Sequence, residues 1–133
     1  MTLPIDSLAT YIATDLGLGT VGTNVFKQNM PDQPDTAVCI YDTGGGPPAL
    51  TWDDDTDTPS WQIISRSLDA STALTNLQTI FRGLHGLTET TIHSLHVKLL
   101  WSLQSNPVNL GRDAKQRFEF VQNYRAMIRG VSR

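Results

Sequence analysis

The sequence is short of what most specialised classes of protein need. It has one cysteine, Cys39, in 133 residues. It can therefore close neither an internal disulfide nor a multi-cysteine metal site, and a buried thiol is the expected role. No apolar run approaches the ~20 residues that a membrane-crossing helix requires. The start, Met1-Thr2-Leu3-Pro4, lacks the basic stretch and apolar segment of a secretory signal, so synthesis in the cytoplasm is expected. Positive charge is nearly missing from the first half: residues 1–60 hold nine aspartates and a single lysine, a net −8. The balance then reverses. Residues 61–111 carry +1 and residues 112–133 carry +4, leaving −3 overall. A chain polarised in this way suits head-to-tail contact between copies, acidic edge against basic edge.

What is present is enough for one ordinary domain spanning residues 1–133. With 39% hydrophobic residues the chain is neither disordered nor membrane-embedded. Folding at this size buries roughly two-thirds of the unfolded surface.

The first element reads as a helix. Ile5, Leu8, Ala9, Ile12 and Leu16 form one stripe of a 3.6-residue period, Pro4 suits the first turn and Gly17 stops it. A short strand is predicted around Asn24–Lys27. Met30-Pro31-Asp32-Gln33-Pro34-Asp35 fits neither helix nor central strand, because proline lacks the amide donor and restricts the residue before it. Ala37–Tyr41 reads as a buried strand. Residues 43–59 form a long loop rich in glycine, proline and aspartate, and such loops are usually functional or disordered. Trp61–Arg66 resumes as a strand. Asp69 then caps a second helix whose apolar face is Ala70, Ala73, Leu74, Leu77, Ile80, Phe81 and Leu84.

Two long strands follow. The first is expected to bury Leu95, Val97, Leu99, Trp101 and Leu103. The second is expected to bury Phe118, Phe120, Tyr124, Ala126 and Ile128, presenting Arg117, Glu119, Asn123, Arg125 and Arg129 outward. Turn residues from Ser105 to Gly111 join them. The fold class is α+β: about five strands in a mostly antiparallel, possibly mixed sheet, with two helices on one face.

Candidate chemistry is thin. Gly17-Leu18-Gly19-Thr20-Val21-Gly22 spells a dinucleotide fingerprint, but that mechanism needs a strand before it and a helix beginning inside it. Here a helix ends and a strand follows, so a turn is expected. Asp53, Asp54, Asp55 and Asp57 suggest calcium. In an EF-hand loop starting at Asp53, however, Thr58 stands where glycine is needed and Ile64 where glutamate is needed. His93 and His96, three apart on a strand, point to opposite faces and cannot share an ion. No nucleophile turn organises a serine, histidine and aspartate. The expectation is therefore no catalytic residue, no metal and no cofactor. Arg117, Arg125 and Arg129 would share a face with Glu119 and no aromatic, which suits a subunit contact better than nucleic acid. The candidate interface residues are Trp52, Asp53, Asp54, Asp55 and Asp57 on the loop, and Arg117, Arg125 and Arg129 on the last strand.

Three stretches, in the same order along nearly the whole chain, carry a resemblance. They are Phe26 through Gly45, with Met30-Pro31-Asp32-x-Pro34-Asp35 and Val38-x-Ile40-Tyr41-Asp42-Thr43-Gly44-Gly45; Trp61-Gln62-Ile63-x-x-Arg66 leading into a helix; and Pro107-x-x-Leu110-Gly111-Arg112-Asp113 running into Arg117-Phe118-Glu119-Phe120-x-x-Asn123-Tyr124. Together they resemble the minor capsid and tail-terminator family of long-tailed bacteriophages. The resemblance implies a non-enzymatic virion protein of the head–tail junction, made in the host cytoplasm. It would cap the tail tube as a self-assembled hexameric ring, contact the major tail tube protein and dock to the head connector. DNA would pass through the lumen without specific binding, and no membrane or cofactor would be involved. The aspartate cluster is not part of that pattern. A head-completion or connector protein is the alternative from the same junction, and a non-virion accessory binding protein is the alternative from another class.

Overall fold

The computed structural model describes residues 3–47 and 56–129. Helix α1 spans Pro4–Thr10 and continues into a π-helical turn, Tyr11–Asp15. Asp6 accepts a hydrogen bond from the Leu3 amide at 3.2 Å, satisfying one orphan donor of the first turn. The strands are β1 Val25–Lys27, β2 Ala37–Gly45, β3 Thr56–Asp57, β4 Pro59–Ser67, β5 Leu87–Ile92, β6 Leu95–Ser102, β7 Val108–Arg112 and β8 Phe118–Arg129. Helix α2, Ala70–Leu84, lies between β4 and β5.

All eight strands join one sheet in the order β1-β2-β4-β8-β6-β5. Strand β8 is the spine: β4 and then β3 pair with one of its edges, and β7 and then β6 with the other. Every pairing is antiparallel except β1 with β2. The class is thus α+β with a mixed, mostly antiparallel sheet, as the alternation of the long strands implied.

Both helices pack on the same face. Ile5, Leu8, Ala9 and Ile12 of α1 and its extension join Ala73, Leu77, Ile80 and Leu84 of α2 over Val38, Ile40, Trp61, Ile63, Tyr124 and Ile128. Burying each large aliphatic side chain stabilises by about 2 kcal/mol relative to exposure. The helices touch each other where Leu16 covers Gly83, which has no Cβ in the way, and where the Tyr11 hydroxyl donates to the Gly83 carbonyl at 3.1 Å. Asp69 caps α2 as expected, its carboxylate accepting from the Ser71 amide at 3.1 Å and from the Thr72 hydroxyl at 3.1 Å. The Gly17–Gly22 stretch is the expected turn between helix and strand. Gly19 has φ +141°, and a side chain there would strike Asn24, whose Oδ1 accepts from the Thr20 amide.

Several expectations needed correction. The π-helical turn replaces regular helix at the end of the first element. The loop of residues 43–59 is strand at both ends: β2 runs on to Gly45 past an irregularity at Thr43, and β3 and β4 begin at Thr56 and Pro59. A bulge at Lys98 shifts the β6–β8 register, pairing Val97 with Ile128 but Leu99 with Met127. The shift exchanges faces. Leu100 enters the core in place of Leu99, which is 36% exposed. Strand β7 lies where turn residues were expected, and β5 had no expectation attached to it; each pairs along a single edge.

Candidate functional site

The three stretches that carry the resemblance meet in space. On the face away from the helices, the loop containing Pro31, Asp32, Pro34 and Asp35 lies across the ends of β4 and β8. Its prolines and irregular backbone leave carbonyl oxygens without ladder partners. Arg66, the last residue of its motif, supplies the donors. Its Nη2 donates to the carbonyls of Pro31 at 2.8 Å, Pro34 at 2.6 Å and Asp32 at 3.4 Å, and its Nε to that of Asp35 at 3.3 Å. Arg66 is only 4% exposed. Beside it the Thr36 and Ser67 hydroxyls are 3.0 Å apart.

Arg117, from the third stretch, completes the clasp. It is 4% exposed and binds carboxylates from two segments: Asp113 Oδ2 at 2.7 Å, Asp32 Oδ1 at 3.0 Å and Asp35 Oδ1 at 3.4 Å. It also donates to the Asp32 carbonyl, and Lys115 pairs with the same aspartate. Asp113 accepts from the amides of Lys115 and Arg117 at 2.9 Å each, which closes the turn before β8. Planar guanidinium groups suit such forked contacts. The electrostatics follow. The Lys115 ammonium, then Arg117, hold the Asp32 carboxyl below the usual carboxylate range. Asp113 is lowered first by the Arg117 amide and then by its side chain. Burial pulls the Arg117 guanidinium down, but its bonds to Asp113 and Asp32 outweigh that and its pKa rises.

Arg117 lies on the same side of the sheet as Arg125, away from the helices, but it is buried and presents no outward charge beside Arg125 and Arg129. It precedes β8, directly after Gln116 at φ +65°. It is spent on the fold and is not an exposed interface residue. Twelve residues of extended strand, about 40 Å, separate it from Arg129. Arg125 is half-buried on the face away from the helices, paired across β8 with Trp101 and Ser60, and its Nε is buried without a partner. Arg129 is exposed and sits opposite Thr56.

Asp57 pairs with Ile128 in β3, and Lys98 Nζ donates to Thr56 Oγ1 at 2.6 Å. The end of the acidic stretch thus lies on this chain's own β8. Trp52, Asp53, Asp54 and Asp55 lie outside the described residues. His93 contacts Asp15 and His96 contacts Glu89, each in a separate pair.

One feature had no sequence signal. A groove of about 330 Å³ runs between α2, with Leu74, Gln78 and Phe81, and the turn Ser105–Pro107. Its floor is Gln122, 1% exposed, from β8. The turn residues and the helix were each legible, but not their juxtaposition. Among the described residues no group of three or more histidine, cysteine, aspartate or glutamate side chains is placed to hold a metal ion. No helix there is long and apolar enough to cross a membrane.

Comparison with known proteins bears on what these surfaces serve. No curated protein matches the chain by sequence. Among solved structures, a chain from the virion of a native gene transfer agent (GTA) particle is similar in fold. The TM-score is 0.58 at 17% identity, over 90% of this chain and 84% of that one. The family model for bacteriophage tail terminator protein matches residues 14–129, a span that includes all three converging stretches. The chain belongs to the bacteriophage tail terminator family.

Proposed function

We propose that this protein ends the growing tail tube by closing on it as a ring of identical copies, and then presents the capped end to the head connector. The role is one of contact rather than catalysis. The observation that carries it is the family match over residues 14–129. The fold shared with a chain of a gene transfer agent virion supports a place in such a particle. A ring fits the charge pattern. A closed heterologous ring needs two different, complementary surfaces on each copy, and the chain is acidic through residue 60 and basic after residue 111. Arg125 and Arg129 are the basic contributors, Asp53, Asp54 and Asp55 of the neighbour are the acidic side, and Trp52 beside them is the aromatic anchor. Genomic DNA traverses the lumen without specific contact. Six copies is the number that the family resemblance implies.

Placement tests the reading directly. With an affinity tag on the chain and gold-labelled probe on finished particles, label is expected at one point, where tail joins head. Label along the tube, or at the far tip, would contradict it. A head-completion role predicts label that stays with heads separated from their tails.

A further inference from the structure

The helix-free face of the sheet carries two charges that the described chain does not pair. Alternation along β8 turns Phe120 and Tyr124 toward the helices, so Glu119, Val121, Asn123, Arg125 and Met127 lie on the other side. Among the described residues no cation is within ion-pair distance of the Glu119 carboxylate, and no carboxylate is within that distance of the Arg125 guanidinium. Arg125 is half-buried, and its Nε is buried with no acceptor. A cation drawn out of water without a counter-ion costs stability unless another molecule supplies one. Apolar side chains flank both charges. Leu99 and Met127, exposed partners across β6 and β8, adjoin Arg125, and Trp101 stands opposite it. Val108 of β7, also exposed, lies opposite Val121 on the same face, two positions along β8 from Glu119. Tryptophan, methionine and arginine together are the mixture enriched at the centres of protein contacts.

We propose that this face pairs with the same face of a second copy, Glu119 of each chain meeting Arg125 of the other. Charge complementarity selects that occupant. One face offers both an unpaired anion and an unpaired cation, which is what a self-matching, two-fold contact requires. The spacing fits. The two residues lie three positions either side of Gln122, each about 10 Å from it along the strand. A two-fold axis lying between the two faces, across β8 at Gln122, therefore exchanges them. Strands β6 and β7 pair with the same edge of β8, so the same rotation lays Leu99 and Met127 of one copy over Val108 of the other. Stacked sheets stand about 10 Å apart, a gap that a glutamate and an arginine side chain span together. Such a contact closes at two copies and builds no ring. It occupies the Arg125 that the ring contact uses, so the dimer is the form of the free chain and opens on assembly. That last step alone rests on the ring reading above.

The test is the mass of the purified full-length chain in solution, by sedimentation equilibrium. A mass twice 14.7 kDa that falls on dilution is expected. Glu119→Arg and Arg125→Glu, each checked for native circular dichroism, should separately weaken the dimer by about tenfold or more. Combining the two should restore it, because the exchange preserves both pairs. Leu99→Glu, at an exposed position that leaves the fold intact, should weaken the dimer similarly by setting a second carboxylate near Glu119 of the other copy. A monomer at every concentration would overturn the proposal. So would a dimer that Leu99→Glu and the single reversals leave unchanged, or a natively folded double variant that stays monomeric. None of these results touches the ring reading, which tail length after deletion of the gene tests separately.

Discussion

Arg66 and Arg117 show how a side chain's type can be legible while its task is not. Both were visible in the sequence, one at the end of a motif and one at the start of a strand. Apart from Asp113, which lies four residues before Arg117, their partners come from a proline-rich loop more than thirty residues before Arg66 and eighty before Arg117, and no local pattern announces them. Hydrogen bonds from a charged donor are worth about 1.5–3 kcal/mol each when the loss strands a buried partner. Replacing Arg66 by methionine keeps volume but strands several carbonyls. It is expected to destabilise the chain by about 3 kcal/mol, read by urea denaturation. A loss under about 0.5 kcal/mol would mean that water satisfies the loop.

The clasp also has a pH signature. Asp32 and Asp113 titrate lower in the folded chain than an unfolded aspartate, which titrates near about 3.9. A carboxyl with a depressed folded pKa stabilises fully above the unfolded value. That contribution is lost as pH falls through the folded value. The melting temperature should therefore fall as pH drops below about 4, and Asp113→Asn should flatten that fall while lowering stability at neutral pH. A profile with the same slope in the variant would remove Asp113 from the cause.

At the scale of elements, what was legible is what depends on one segment alone. Helix α2 was readable from its periodic face and from Asp69, and Asp69→Ala is expected to cost about 1 kcal/mol in thermal or urea unfolding. Strand β8 was readable because its residues alternate toward its end, from Tyr124 to Arg129, although Phe120, Val121 and Gln122 are buried in succession. Strand β6 was misread after Val97. The bulge at Lys98 belongs to its pairing with β8, which the segment's own sequence does not encode. Strand β7 is exposed at every residue, and β5 is largely exposed, so neither shows the buried alternation that reveals a strand. The same logic explains the groove: α2 and the Ser105–Pro107 turn were each foreseen, but a cavity is a property of their packing.

For the whole molecule, the acidic first half and the basic end argue for contact between unlike surfaces of identical copies. Such contact between exposed charges weakens as salt screens it, the Debye length shrinking from about 10 Å at 0.1 M to about 3 Å at 1 M. Assembly onto tails should therefore decline between about 0.05 and 0.5 M salt, measured by sedimentation of the assembled fraction. Indifference to salt would remove the charge pattern as the basis of the contact. The most direct measurement is the distribution of tail lengths after the gene is deleted, by negative-stain microscopy of the lysate. Overlong, uncapped tubes beside tailless heads are the expected result. Tails of normal, uniform length would contradict the role of this chain in ending the tube.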